Sequence, residues 1–452
     1  MFLVSIFGLF AISLLLIFLA YKRERVVYFL GFLVSIIGIN VHIGVTFYLS
    51  RIVIIFYLIS SLLREIIINI RSKWVWFPLI ILFIKLISVI LSDRIEAGLR
   101  IMFIYLSLLV IFWIIINVAK TSEIVKKGLK FYIYAGLVQG LYGIYQVIGG
   151  FKQWPTYQTL LEGIPMANDR TQDGYFYSQT FRAIGFFSND VSHFAGYMAG
   201  ILLLMICYII VKKSYFKYFT FIICFIALML SLSRSGIIAF FVFGLPSLFL
   251  LLKYIGEFPK IKFSFIFKIV FFISISTIIV SSSGVFENIT NPFPILFDRF
   301  LNLTGSNSNY YSGSMSDHLL TRRLALEAFI TNPLFGVGLG VNADPWISTI
   351  SNVGWAGSHS YHLDILGQTG IIGSIVEWLF MLVVCNYMWI GIKIKSSSRE
   401  DRIFLAGLLS VYITIILGNF LYYYYLNDFV WFIMGSGIAL SSSIISKSKI
   451  TI

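Results

Sequence analysis

Residues 100–118 read RIMFIYLSLLVIFWIIINV, one arginine followed by eighteen residues without a formal charge. As a helix rising about 1.5 Å per residue, eighteen residues reach roughly 27 Å, close to the thickness of a bilayer's hydrocarbon core. The stretch reads as a membrane-spanning helix. Working outward, similar runs recur at 1–20, 26–48, 52–70, 75–91, 130–149, 191–211, 217–232, 236–252, 266–284, 367–391, 403–421 and 429–446. Their spacing excludes a soluble enzyme carried on a single anchor. The expected fold class is an all-α polytopic membrane protein of about 12–14 transmembrane helices with two large periplasmic loops, GT-C-like.

Composition agrees. Hydrophobic residues make up 59% of the 452-residue chain and charged residues 12%, against roughly 45–50% and 25% in an average soluble domain. Met1–Ala20 has no basic start and no small-residue cleavage site, and Lys22-Arg23-Glu24-Arg25 follows it directly, so it reads as a first span rather than a signal peptide. Cys207, Cys224 and Cys385 fall singly inside spans, which suggests packing residues and neither a disulfide framework nor a thiolate metal site.

The charges orient the chain. If the first span runs from outside to inside, 23 of the 34 Lys and Arg residues fall on the cytoplasmic connections, as the positive-inside rule requires. The outer basic residues are all arginines but Lys152. Arginine's rigid fork of donors suits paired recognition of phosphate or carboxylate. The net charge of +14 is therefore mostly topological and gives no support to nucleic-acid binding. Thirteen of the twenty acidic residues lie outside, as do all five histidines: His42, His193, His318, His359 and His362. Chemistry is expected on the outer face. Lys85 and Glu377 fall within spans, each a candidate partner for the other.

The expected division is 1–149, N-terminal helices; 150–190, first large outer loop; 191–284, central helices with a Ser233-Arg234-Ser235-Gly236 turn; 285–366, second large outer loop; and 367–452, C-terminal helices. Loops of this length are functional or disordered. Their aromatic residues, Trp154, Tyr157, Phe186, Phe187, Trp346 and Trp355 among them, argue for folded segments that stack on sugars or form an interfacial belt.

The second loop holds an amphipathic stretch, Thr321 to Phe329, stopped by Asn332-Pro333-Leu334-Phe335-Gly336-Val337-Gly338-Leu339-Gly340. No βαβ context surrounds these glycines, so they read as tight turns and not as a nucleotide fingerprint. Ser358-His359-Ser360-Tyr361-His362-Leu363-Asp364-Ile365-Leu366-Gly367 then leads into the next span. The order Pro-Leu-Phe-Gly-Val-Gly, then His359 with Leu at +4 and +7 and Gly at +11 and +14, resembles the bacterial O-antigen polymerase and ligase superfamily. Arg182-Ala183-Ile184-Gly185-Phe186 and Ser233-Arg234-Ser235-Gly236 are similar to that family's Arg-x-x-Gly-Phe stretch and Ser-Arg-Gly turn. The resemblance centres on 318–373 and covers the C-terminal two-thirds. In two places the chain departs from the pattern. Ser360 stands where the family has Asn, and strict spacing from Pro333 puts His318 where the family has an arginine, so Arg322 or Arg323 fills that place one turn later.

The resemblance implies an inner-membrane, multi-pass glycosyltransferase whose site faces the periplasm, with no cofactor and no metal. Its reaction joins undecaprenyl-diphosphate-linked oligosaccharides, donor and acceptor. Membrane lipids and a chain-length-regulating co-polymerase are the other expected partners. The primary reading is an O-antigen or capsule-type polymerase. Alternatives are an O-antigen ligase acting on lipid A-core and a lipid-linked oligosaccharide flippase, the latter expected to show repeats, broken helices and midplane charges. Guanidinium groups stabilise a leaving diphosphate, the role expected of Arg182, Arg322, Arg323 and Arg234. A neutral imidazole accepts a proton near physiological pH, the role expected of His359, with His318 and His362 in support. The simpler readings are an i,i+4 pair for Arg323 and Glu327, headgroup anchoring for Arg182, and a hairpin anchor for Arg234. His359 and His362 also have a His-x-x-His spacing, but no matching acidic motif follows.

Overall fold

The computed structural model describes residues 24–34, 40–43, 45–48, 73–92, 95–151, 182–187, 191–257, 312–340, 358–422 and 424–450. The spans expected at 1–20, 52–70 and 266–284 and most of both outer loops lie outside the described residues. Eleven helices are described: α1 Arg25–Leu33, α2 Lys73–Ile90, α3 Ile95–Val118, α4 Ser122–Phe151, α5 Val191–Val211, α6 Tyr215–Leu230, α7 Arg234–Tyr254, α8 Ser312–Thr331, α9 Tyr361–Lys393, α10 Arg399–Gly418 and α11 Asp428–Ile450. Six of them, α3, α5, α7, α9, α10 and α11, are long and apolar enough to cross a membrane, and shorter apolar helices lie at Trp76–Ile90 and Tyr215–Leu230. The protein is a polytopic helical membrane protein.

One expected span is corrected. Residues 26–48 do not form a single helix: α1 has nine residues, about 14 Å of rise, too short to cross. Beyond it, β1 (Asn40–Ile43) and β2 (Val45–Tyr48) pair antiparallel, His42 opposite Thr46. The β-branched residues Val41, Ile43, Val45 and Thr46 fit the pleated backbone better than a helix.

Helices α5, α10 and α11 form the centre, with 72%, 78% and 83% of their most apolar stretches buried. The outer helices keep large apolar side chains exposed, such as Phe83, Phe103, Leu250 and Leu382. In water such faces would be an aggregation liability, whereas lipid accepts them. The three cysteines are unpaired, with Cys207 and Cys224 buried.

The two ends of the bundle differ. At one end Lys126 lies 3.1 Å from Asp401 and 3.5 Å from Glu400, and Arg399 grips Glu257 with two bonds of 2.6 and 2.7 Å. Tyr208 and Lys217 join the same end by donating to the Lys126 and Tyr208 carbonyls. These are connections that the charge count assigns to the cytoplasm. The opposite end gathers the segments that carry the family-like motifs.

Candidate active site

The Gly-rich segment after α8 is built into the membrane domain. Helix α9 breaks at Gly370, whose φ of 63° and ψ of −167° leave helical geometry. A break frees backbone groups that lipid cannot satisfy. Here residues 333–339 take them up: Val337 and Gly338 donate to the Gly367 and Gln368 carbonyls, and Ile371 and Ile372 donate to the Pro333 and Leu334 carbonyls. Ser88 of α2 joins the junction, its hydroxyl donating to the Gln368 carbonyl at 2.7 Å. The backbones meet so closely that a Cβ at Gly336 would lie 2.3 Å from the Gln368 carbonyl carbon, and one at Gly370 2.4 Å from that of Leu334. The Pro-Leu-Phe-Gly-Val-Gly run and the Gly-x-x-Gly of α9 are thus two halves of one joint. A transporter reading expects a broken helix, but this break is filled by the chain's own peptide groups.

Just before α9, Ser358, His359 and Ser360 form a tight polar turn. Ser358 N donates to Asp364 Oδ1 at 2.9 Å, Ser358 Oγ donates to the Ser360 carbonyl, and Ser360 N donates back to Ser358 Oγ. The turn forces His359 to a φ of 53°, one of two positive-φ non-glycine residues among those described. For an L-residue that conformation costs about 1–2 kcal/mol.

The turn docks on the segment linking α10 to α11. Tyr361 N donates to the Asn419 carbonyl at 2.9 Å, Ser360 Oγ to the same oxygen at 3.3 Å, and the His359 ring lies 5.8 Å from that of Tyr422. From α5, His193 lies 5.3 Å from the same Tyr422 ring and 6.4 Å from Tyr424. Tyr422 therefore stands between two imidazoles brought from separate helices. His362, expected in a supporting role, has both ring nitrogens engaged. Its Nε2 donates to the Ile416 carbonyl at 2.9 Å and its Nδ1 accepts from Trp378 Nε1 at 3.1 Å, so both nitrogens serve packing. No group of three His, Cys, Asp or Glu residues able to hold a metal occurs among the described residues.

On α8 the two adjacent arginines diverge. Arg323 is 78% exposed and bonds Glu327 at 2.8 Å, the i,i+4 pair. Arg322 turns inward: one Nη donates to the Phe420 carbonyl at 3.3 Å, while its Nε is buried and has no partner among the described residues. The Phe420 ring, two residues from Tyr422, lies 4.3 Å from that of His362 and tilted to it by 41°. His318 lies on α8 one turn before Arg322.

Arg182 occupies the neighbouring turn. Its Nε and one Nη donate to the Ser231 and Leu232 carbonyls at 2.8 and 3.1 Å, closing the C-terminus of α6. This, rather than a lipid headgroup, is where the structure anchors it. Leu232 is the other positive-φ residue, at 52°. Ser233, next in the turn, caps α7 just ahead of half-buried Arg234, and its hydroxyl lies 3.4 Å from that of Ser192, the neighbour of His193. Gln146 of α4 holds the Arg-x-x-Gly-Phe stretch, accepting from Ile184 N and Gly185 N, while Gln139 accepts from Phe186 N at 2.7 Å.

Residues 219–376 match the family model described as O-Antigen ligase. The match supports the O-antigen polymerase and ligase superfamily. It runs from α6 through the Ser-Arg-Ser-Gly turn, α8, the Gly-rich joint and the His359 turn into α9, and so takes in several of the segments gathered at this end. The Arg182 stretch and the Tyr422 turn lie outside the matched residues. The O-antigen ligase family implies a glycosyltransferase-type enzyme acting on lipid-linked glycans in the membrane. A search of curated proteins finds no match.

The structure thus joins His359 and Arg322 through residues 420–422, and sets Arg182 and Arg234 at a turn connected to them through Ser233, Ser192 and His193. Arg323 and His362 are spent on local contacts. Sequence reasoning placed His193 on the outer face without giving it a role, and it missed Gln139, Gln146, Asn419 and Tyr422. The two glutamines carried a readable signal, amides seven residues apart in an otherwise apolar span.

Proposed function

We propose that the protein is a polysaccharide polymerase that joins undecaprenyl-diphosphate-linked repeat units at the periplasmic face of the inner membrane. The observation that supports it is the meeting of the His359 imidazole and the Arg322 guanidinium on one turn, residues 419–422. In the reaction the sugar hydroxyl of the acceptor attacks the donor's anomeric carbon. A new C–O bond forms as the bond to the diphosphate oxygen breaks, and the hydroxyl proton passes to His359. Arg322 meets the charge that develops on the departing diphosphate, with Arg182 and Arg234 at the adjoining turn. Arg322 fills the family arginine's place, because its Nε lacks a partner among the described residues whereas Arg323 is held by Glu327. Repetition extends the chain, and a co-polymerase would set its length.

Deletion of the gene, followed by gel analysis of surface glycan, tests the reaction. A polymerase loss leaves core bearing a single repeat unit. Bare core with lipid-linked polymer would mean a ligase, and normal banding would remove both readings. His359→Ala should fail to restore the ladder at unchanged protein level; a restored ladder would take His359 out of the mechanism.

A further inference from the structure

Beneath the His359 turn lies a buried charged group that the reaction above does not use. Lys85 of α2 and Glu377 of α9 form an ion pair with side chains 1% and 2% exposed. The second carboxylate oxygen of Glu377 accepts from the Tyr361 hydroxyl. Tyr105 of α3 bonds that hydroxyl at 2.7 Å, and the Lys85 ammonium sits 3.8 Å from the centre of the Tyr105 ring. Three helices are tied at one point. An apolar pair of similar volume would hold them as well or better, because desolvating two charges costs several kcal/mol per ion, by rough estimate. A buried ion pair that packing does not need points to a positional role.

Tyr361 carries that role to the site. Its hydroxyl donates to Glu377, and with its one proton used there Tyr105 must donate to Tyr361. Its backbone N–H is fixed by the Asn419 carbonyl. Tyr361 is therefore pinned at both ends, two residues from His359 and against the turn that bears Tyr422. We propose that the Lys85–Glu377–Tyr361 group is a positioning device that holds His359, in its left-handed conformation, at a set distance from the Tyr422 turn. The inference rests on the catalytic reading of His359.

The test compares Tyr361→Phe, a Lys85→Met/Glu377→Leu double variant and His359→Ala in the deletion strain. Purified protein is then assayed on polyprenyl-diphosphate-linked repeat unit extracted from that strain. The double variant leaves no charge unpaired, so it should fold and reach the membrane at the normal level. Both Tyr361→Phe and the double variant should lower kcat about ten- to a hundredfold, the effect of a displacement near 1 Å, with KM within about twofold. A purely structural pair predicts full kcat in the double variant, and that result, or an unchanged kcat in Tyr361→Phe, overturns the proposal. An active His359→Ala overturns the catalytic reading and this inference with it. An inactive His359→Ala beside fully active network variants overturns the inference alone.

Discussion

At the scale of the residue, neighbours of identical chemistry separate by what they touch. Arg322 and Arg323 differ by one position and about 100° around α8. That rotation gives one guanidinium a backbone carbonyl and a buried Nε, and gives the other an exposed carboxylate. Exposed i,i+4 pairs are worth only about 0.2–0.5 kcal/mol. Arg323→Ala should therefore support a normal glycan ladder and normal thermal stability in detergent. Arg322→Ala should lose about 100-fold or more in polymerisation at unchanged protein level, as expected when a donor to developing charge is removed. The reverse ranking would move the diphosphate role to Arg323. The sequence supplied the helical pair with Glu327 but not the burial of Arg322 Nε, since Phe420 lies 98 positions away. The fate of His362 was hidden in a similar way: Ile416 comes from α10, and Trp378 lies sixteen positions along α9, beyond the break at Gly370.

At the scale of the element, hydropathy located most helices because a bilayer constrains length and composition alike; the expected 191–211 and the observed α5 coincide. It failed at 26–48 because a run of β-branched apolar residues reads equally well as strand. It also ran through the break in α9, since the expected span 367–391 takes in Gly370 and a single glycine does not by itself end a helical run. What marks that break is its partner, the Pro333–Gly340 segment, and the two are 30 or more positions apart in the chain. Gly336→Val tests the joint. Its side chain would enter the space of the Gln368 peptide, where a Cβ already lies 2.3 Å from the carbonyl carbon, in a backbone conformation of φ 72° that β-branched residues avoid. Folded protein should fall several-fold, with faster proteolysis after α8, measured by size-exclusion yield and limited chymotrypsin digestion, since that segment holds aromatic residues but no lysine or arginine. Wild-type yield would mean that the joint is not a structural requirement.

At the scale of the whole molecule, lysine-rich connections and histidine- and arginine-bearing turns occupy opposite ends of one helical bundle. This separation gives the orientation a physical consequence. Glu96, 82% exposed in its side chain and paired only with Arg100 among the described residues, begins α3 at the end expected to face the periplasm. Ser397 lies in the short α9–α10 connection at the Arg399–Glu257 end. In a background with Cys207, Cys224 and Cys385 replaced by alanine, Glu96→Cys should react with a membrane-impermeant maleimide in cells whose outer membrane has been opened. Ser397→Cys should react only after the inner membrane is lysed, because the positive-inside rule holds its lysine-flanked connection in the cytoplasm. Labelling of position 397 alone in unlysed cells would invert the bundle. His359 and Arg322 would then face the cytoplasm, where no periplasmic glycan could reach them, and the polymerase reading would fail on topology before any activity was measured.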